Sequence, residues 1–338
     1  MEPGLDTFIT IFYVTVDDVY KERFAHLKPS RPGAKPEVSD SEVLTLALLA
    51  QHHGRRSERG FLRFVKRNWH SYFPRLLSQS SFNRRVRDLW GVLAALVPEI
   101  AGRVRKQAGR NPAYEVADGA AVPLVRNCRA RTRLFGDGAS FGKGGADRSW
   151  YYGVKLFCVV DQNSAVSGFA VCRADTEERW LAESTLRWRT DPGLPQPSDE
   201  QMQAILGPSH DKGGERTGPQ ALIWPRRGAG INRGCCWVTD QGYTGQEWKR
   251  HWWEHYRTPV ITGEELSPQA SREHRSRRQS VEQVFSTLFE YFGLAYPRAR
   301  SLWGAMARVS AKIAAYDIAV LINYRLNRPP RAIFDPIA

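Results

Sequence analysis

The chain has 338 residues, 42% of them hydrophobic, enough to core two domains and too apolar for a disordered chain. Lys and Arg total 49 against 35 Asp and Glu, a net charge of +14, which favours a polyanionic partner because neutralising phosphates releases counterions. No repeat is visible, and no apolar run reaches the roughly 18 residues of a membrane helix, so repeat arrays and helical membrane proteins are excluded.

The N-terminal stretch MEPGLDTFITIFYVTVDDVY has an apolar centre flanked by acidic residues and lacks a cleavable small-residue site, so no secretory leader is expected. Phe8, Ile9, Phe12, Val16 and Val19 fall at near-helical spacing. After the basic linker HLKPSRPGAKP, Ser39 and Glu42 form a capping-box pattern ahead of the stripe Val43, Leu44, Ala47 and Leu48. Two further helices follow. One sets Phe61, Phe64 and Val65 against Arg63, Lys66 and Arg67; the other, SQSSFNRRVRDLW, turns Phe82, Val86 and Leu89 inward and Asn83, Arg84 and Arg87 outward. Such a basic outer face suits a helix-turn-helix reader of duplex DNA, or simply a solvated bundle. Residues 1–108 are therefore expected to be a helical DNA-binding region.

Beyond AGRVRKQAGRNP the pattern alternates. AYEVADGAAV, SWYYGVKLFCVVD and SAVSGFAVCRA read as strands, the last two joined by a hairpin at DQNS; the second is apolar on both faces and should be central. A helix is expected at TEERWLAESTLRW. Residues 190–234 lose all periodicity and read as an insertion or long loop, whose Arg216, Arg226, Arg227 and Arg233 would suit DNA. Then come the strand CCWVTD, a helix with Trp248, Trp252 and Tyr256, the strand TPVIT, a basic stretch SREHRSRRQS, the helix VEQVFSTLFEYF and a last helix near 302–326. Three strands, helix, strand, helix, strand, helix is the order of an α/β ribonuclease-H-like domain, assigned to residues 109–330.

In that fold Asp118, on the first strand, and Asp240, after the fourth, face each other. Glu282 on the following helix is the third carboxylate, with Arg278 one turn earlier on the same side. Taken alone, Asp118 and Asp240 are equally turn formers, and Glu282 an ordinary helix-surface residue. Converging carboxylates need a counter-charge, and Mg²⁺ or Mn²⁺ prefers such hard oxygens. Two ions about 4 Å apart serve phosphodiester hydrolysis and strand transfer. Asp137, Asp161 and Asp175 are expected to be structural, in a Gly-rich loop, a hairpin and a helix cap. Five cysteines, an odd number without CxxC spacing, favour neither disulfides nor zinc and fit a reduced cytoplasm. His52-His53 reads as a helix end.

Several blocks together carry a resemblance: ADGAAVPL, YYGVKL, TDQGYTG, RRQSVEQVFSTL and RARSLWG, with SDSEVLTLALL, SERGFLRFVKRNWHSYFPRL and SQSSFNRRVRDLW ahead of them. They resemble DDE transposases of bacterial insertion sequences, nearest to the insertion sequence 982 family, over nearly the whole chain except 190–234. The resemblance implies an enzyme, nucleoid-associated in a bacterial cytoplasm, that cleaves double-stranded DNA at terminal inverted repeats and transfers the 3′ ends to target DNA. It implies Asp118, Asp240 and Glu282 as catalytic and metal-binding residues for two Mg²⁺ (or Mn²⁺) ions, and a homodimer or larger synaptic complex. Arg278 fits the Tyr-Arg-Glu-Lys signature around the last carboxylate, whereas Arg275 stands at its tyrosine and Phe289 at its lysine position. Arg278, Lys155, Arg84, Arg87, Arg298 and Arg300 are the candidate DNA contacts. The competing readings are a nuclease of the same fold without strand transfer and a transposase derivative that binds DNA without cutting.

Overall fold

A computed structural model describes residues 4–27, 36–54, 57–132, 134–145, 148–189, 235–264 and 266–333. The proposed insertion at 190–234, with its four arginines, lies outside them. None of the described helices is long and apolar enough to cross a membrane.

The N-terminal helices follow their apolar stripes. Helix α1 (Leu5–Arg23) buries Phe8, Ile9, Phe12, Val16 and Val19. Helix α2 (Asp40–His52) starts at the expected capping box: Ser39 Oγ accepts the Glu42 amide at 3.1 Å, and the Ser39 amide donates to the Glu42 carboxylate at 2.7 Å. Ser57 and Ser78 cap α3 (Glu58–Asn68) and α4 (Gln79–Asp88), so three side-chain oxygens each satisfy an amide with no partner inside its helix. Helix α5 (Trp90–Ala108) ends at Gly109, whose φ of 67° only glycine adopts cheaply. On α4, Arg84 is exposed, but Asn83 is half-buried and bonded to Glu58 rather than facing solvent.

The α/β part is a mixed six-stranded sheet. Strand β1 (Tyr114–Val125) pairs antiparallel with β3 (Ser149–Asp161) and parallel with β5 (Cys236–Val238), which pairs parallel with β6 (Val260–Ile261). On its other edge β3 carries β4 (Val166–Arg173) and, beside its first residues, β2 (Ser140–Gly144). The order is thus β4-β3-β1-β5-β6, with β2 sharing the β3 edge with β4, and β3 is flanked on both edges as its apolar faces require.

Alternation assigns the two faces. Val116, Val122, Leu124, Val154, Leu156 and Cys158 join the large core under α5, α8 (Pro268–Glu290) and α9 (Leu302–Arg325). The odd-numbered Ala117, Phe157 and Val159 pack instead under α6 (Glu178–Arg189) and α7 (Gln246–Tyr256), with Trp248, Trp252 and Tyr256 inward as their spacing implies. One core runs unbroken from α1 to the sheet, so the change near residue 108 is one of element type rather than a gap in packing.

Three expectations are corrected. Strand β2 forms in the Gly-rich stretch read as loop: Gly142 and Gly144 leave room where a Cβ would strike Ala174 and Ala121. The basic run SREHRSRRQS does not precede a helix but belongs to α8, which Ser267 caps with Pro268 in its first turn. Asp175 does not cap α6; its carboxylate is held by Arg173 at 2.7 Å and by Ser140 at 2.8 Å. Asp161 sits in the β3–β4 hairpin as expected, accepting the Asn163 and Ala165 amides, and Asp137 lies in a short turn. All five cysteines are free.

Candidate active site

The site lies at a notch in the sheet. Strand β5 stops at Val238 while β1 runs on to Val125, so beyond Val116 β1 loses its neighbour. Asp118 stands beside this notch, its side chain 20% exposed, on the face covered by α8. Asp240 follows two residues after β5. It does start a turn: its Oδ1 accepts the Gly242 amide at 2.9 Å and caps the 3₁₀ turn Gln241–Tyr243. The turn holds its carboxylate within electrostatic reach of Asp118, so the two roles coexist.

Both flanking helices grip that turn. From α8, His274 Nε2 lies 3.0 Å from the Thr239 carbonyl, just before Asp240; from α6, Arg179 Nε donates to the Gly242 carbonyl at 2.6 Å. His274, Arg278 and Glu282 succeed one another every four residues on α8. The first holds the end of β5, the second reaches Asp118 at 3.6 Å, and the third, exposed, adds its charge to Asp118 from across the notch.

The electrostatics record a crowded carboxylate site. Burial pushes the Asp118 carboxyl above its ordinary value; the Gly119 amide and the Arg278 guanidinium pull it down, and Asp240 and Glu282 push it up again. A fourth carboxylate, absent from the sequence-based set, comes from the other face of the sheet. Glu178, at the start of α6, also lies above its ordinary value through burial and the charge of Asp118, with Lys155 opposing and Asp240 adding to the rise. It reaches the site because residue 119 is glycine: a Cβ there would collide with the Glu178 carboxylate. Its only sequence signal was an acidic first-turn residue, which any helix dipole favours.

These are hard oxygen donors of the kind Mg²⁺ or Mn²⁺ takes, and their mutual repulsion, which Arg278 offsets only in part, calls for a divalent counter-charge. Among the described residues no three His, Cys, Asp or Glu side chains are gathered closely enough to hold a metal ion. The carboxylates are therefore neighbours across the notch rather than a closed ligand cage.

The basic candidates divide. Arg278 is committed to Asp118, and Lys155 Nζ donates to the Thr176 carbonyl at 2.6 Å on the α6 side of the sheet. Arg84, Arg298 and Arg300 are exposed, and Arg87 is half-buried with its Nε enclosed and without a partner. Arg275 is exposed on α8, while Phe289 packs partly buried against the core and brings no charge. His52 is stacked among Phe8, Phe12, Tyr291 and Phe292, a core histidine and not a ligand.

No protein-family model, no curated protein and no solved structure matches the chain. The functional reading consequently stands on the residues and their geometry.

Proposed function

We propose that this chain is a metal-dependent DNA transposase of the DDE type, with a ribonuclease-H-like catalytic fold, that cleaves at the terminal inverted repeats of its own insertion sequence and joins the 3′ ends to target DNA. The observation that carries the reading is that Asp118 on β1, Asp240 on the turn after the adjacent parallel strand β5, and Glu282 on α8 act electrostatically on one another. Three further features support it: the ordered sequence blocks, the strand order β4-β3-β1-β5-β6 with its first three strands antiparallel, and the net charge of +14.

Asp118, Asp240 and Glu282 would hold Mg²⁺ or Mn²⁺, which when bound supplies activation of the attacking water or 3′-hydroxyl and stabilisation of the leaving oxygen. The chain's own part is positioning. The His274 and Arg179 contacts fix the Asp240 turn, and the Gly119 amide fixes one Asp118 oxygen at 2.8 Å. Arg278 screens the carboxylates from one another until the counter-ion and a DNA phosphate arrive. A dimer or larger assembly would hold two element ends together. The enzyme would work on the nucleoid of a bacterial cytoplasm.

A nuclease that only hydrolyses is the second reading, and Glu178 favours it, since a fourth carboxylate adds charge for two divalent ions without serving a second DNA. The deciding experiment incubates purified protein with a labelled duplex bearing the element's end in Mg²⁺ or Mn²⁺, with Asp240→Ala alongside. Joined products that need the metal and vanish in the variant support the transposase; cleavage without joining from a pre-cut end supports the nuclease. If wild type and variant bind DNA alike and neither cuts, both enzyme readings fall.

A further inference from the structure

Two cavities, of about 1060 and 430 Å³, meet at the segment Tyr296–Ser301. The larger opens between the end of β1, the end of α8 and the end of α2; the smaller lies between α3, α4 and the start of α9. Arg298, Ala299 and Arg300 line both. Around the pair stand seven Lys and Arg side chains against two carboxylates, Glu58 and Glu290, and Glu58 is already engaged by Arg308 at 2.6 Å. Lys312 is further held by the Gln51 side chain, at 2.7 Å, and by the Phe292 carbonyl, and the net positive charge left in the depression favours an anion.

The backbone there is strained on purpose. Tyr296 and Arg298 both adopt left-handed conformations, φ 52° and 56°, which L side chains keep only where the surroundings impose them. They do: the Tyr296 amide donates to the Pro123 carbonyl at 2.8 Å, and Arg308 Nη1 donates to the Pro297 carbonyl at 2.6 Å. The result is alternation. Pro297 and Ala299 are buried, while Tyr296, Arg298 and Arg300 stand exposed, the two arginines with no hydrogen-bond or ion-pair partner among the described residues. Arg126 at the end of β1 faces the same cavity, equally unpaired among those residues, and Arg87 brings its partnerless Nε from α4. The N-terminus of the 24-residue α9 opens onto the smaller cavity and adds its own positive potential.

We propose that this depression is a phosphodiester-binding groove for duplex DNA, built jointly by the N-terminal helices and the α/β part, with Arg298 and Arg300 as its central contacts. The inference rests on the DNA-processing reading above. Distance gives the register. From Glu282 to Glu290 α8 rises about 12 Å, and from Asp118 to Leu124 β1 rises about 20 Å. At about 3.4 Å per base pair the groove would hold the duplex some four to six pairs from the carboxylates. The half-exposed Tyr296, two residues before Arg298, gives that backbone an aromatic edge to lie against.

The test measures affinity of the full-length protein for a fluorescently labelled duplex over a series of KCl concentrations. Arg298→Ala/Arg300→Ala should weaken binding about tenfold at moderate salt and lower the log–log salt slope by about two, with an unchanged melting temperature; Arg126→Ala should lower it by about one. Arg298→Lys/Arg300→Lys should keep most of the wild-type slope, because a phosphate needs only the charge. Wild-type affinity and slope in both Ala variants overturns the groove, as does a slope loss found only in Arg63→Ala/Arg67→Ala on the outer face of α3. Wild-type cleavage with no slope change in the groove variants would sink this inference alone; a slope loss in a protein that cleaves in neither metal would sink the transposase reading alone.

Discussion

Asp118 on β1 and Asp240 on the turn that follows the adjacent parallel strand β5 lie within electrostatic reach of each other. Glu115 pairs with Trp237 and Val116 with Val238, an offset of 122 residues, which is also the difference between 118 and 240. Because β5 ends first, the second carboxylate arrives on a turn rather than a strand. The turn's own hydrogen bonds, with His274 and Arg179, take over the holding that the ladder no longer supplies.

This arrangement sets function against stability. The Asp118 carboxyl lies above its ordinary value in the fold, so the native state keeps a proton that the unfolded chain has lost, and stability falls as pH rises through that window. Asp118→Asn is expected to abolish cleavage, leave DNA affinity intact and raise the melting temperature at pH 7 above wild type. Cleavage by the wild type should fall on acidification through the raised Asp118 value, since the ionised form is the one that binds a cation. A lower melting temperature for the variant would show that Asp118 is not held against its own ionisation.

Glu178 and Gly119 make a second test. Glu178→Gln should slow cleavage about 10–100-fold, the usual cost of losing a supporting group near a metal site. Gly119→Ala should fold normally, because the colliding atoms belong to the mobile end of Glu178, yet show a similar loss by displacing that carboxylate. The double variant should be little worse than either single one. Additive losses measured by initial rates would mean that the two positions act separately.

Positioning by His274 is checked apart from the carboxylates. His274→Ala removes the ring that lies 3.0 Å from the Thr239 carbonyl and should cut the rate about tenfold with unchanged affinity for DNA. His274→Asn, able to donate to the same carbonyl, should recover part of it. Loss of DNA binding in step with activity would make the residue merely structural.

One buried carboxylate ties α6 to β4 and β5. Glu115, 2% exposed, accepts two bonds from Arg189, at 2.8 and 3.0 Å, one from Ser167 at 2.6 Å and one from the Trp237 indole at 3.1 Å. Arg189 is the last residue of α6 and Trp237 lies in β5, so the network ties the end of that helix to the sheet. Although burial opposes it, these partners hold Glu115 below the ordinary carboxylate range. Glu115→Ala takes from the buried Arg189 its carboxylate partner and should cost about 3–5 kcal/mol in urea unfolding. A cost under 1 kcal/mol would mean that water or another anion replaces it.

Much of this was legible from periodicity. The bounds of β3, the Ser39–Glu42 capping box and the inward faces of α1 and α7 followed from spacing, because local apolar pattern and final burial agree there. What spacing missed had a nonlocal cause. Strand β2 looks like a loop because its glycines are selected by close contacts with Ala121 and Ala174, far away in sequence. The start of α8 was hidden by its arginines, which give a helix no apolar stripe to read. Glu178 resembled an ordinary first-turn acid until Gly119 was seen to admit it. The contacts of Lys155 with the Thr176 carbonyl and of Arg278 with Asp118 are likewise nonlocal, and charge alone does not reveal them.

A last prediction concerns pH and a residue remote from the carboxylate notch. Asp161, 1% exposed, has its carboxyl raised to about 7 by burial, despite accepting the Ala165 and Asn163 amides. Its other oxygen has no partner. Between the ordinary value of 3.8 and about 7 the unfolded chain releases the proton that the native hairpin retains, so this group removes stability as pH rises across that window and the deficit is constant above it. Asp161→Asn is neutral throughout, and its carbonyl accepts the same two amides. The variant should therefore match wild type near pH 4 and exceed it by about 2–4 kcal/mol at pH 8, read from urea midpoints across the series. A difference that stays flat with pH would mean that Asp161 is ionised in the fold and that the hairpin solvates it better than its burial implies.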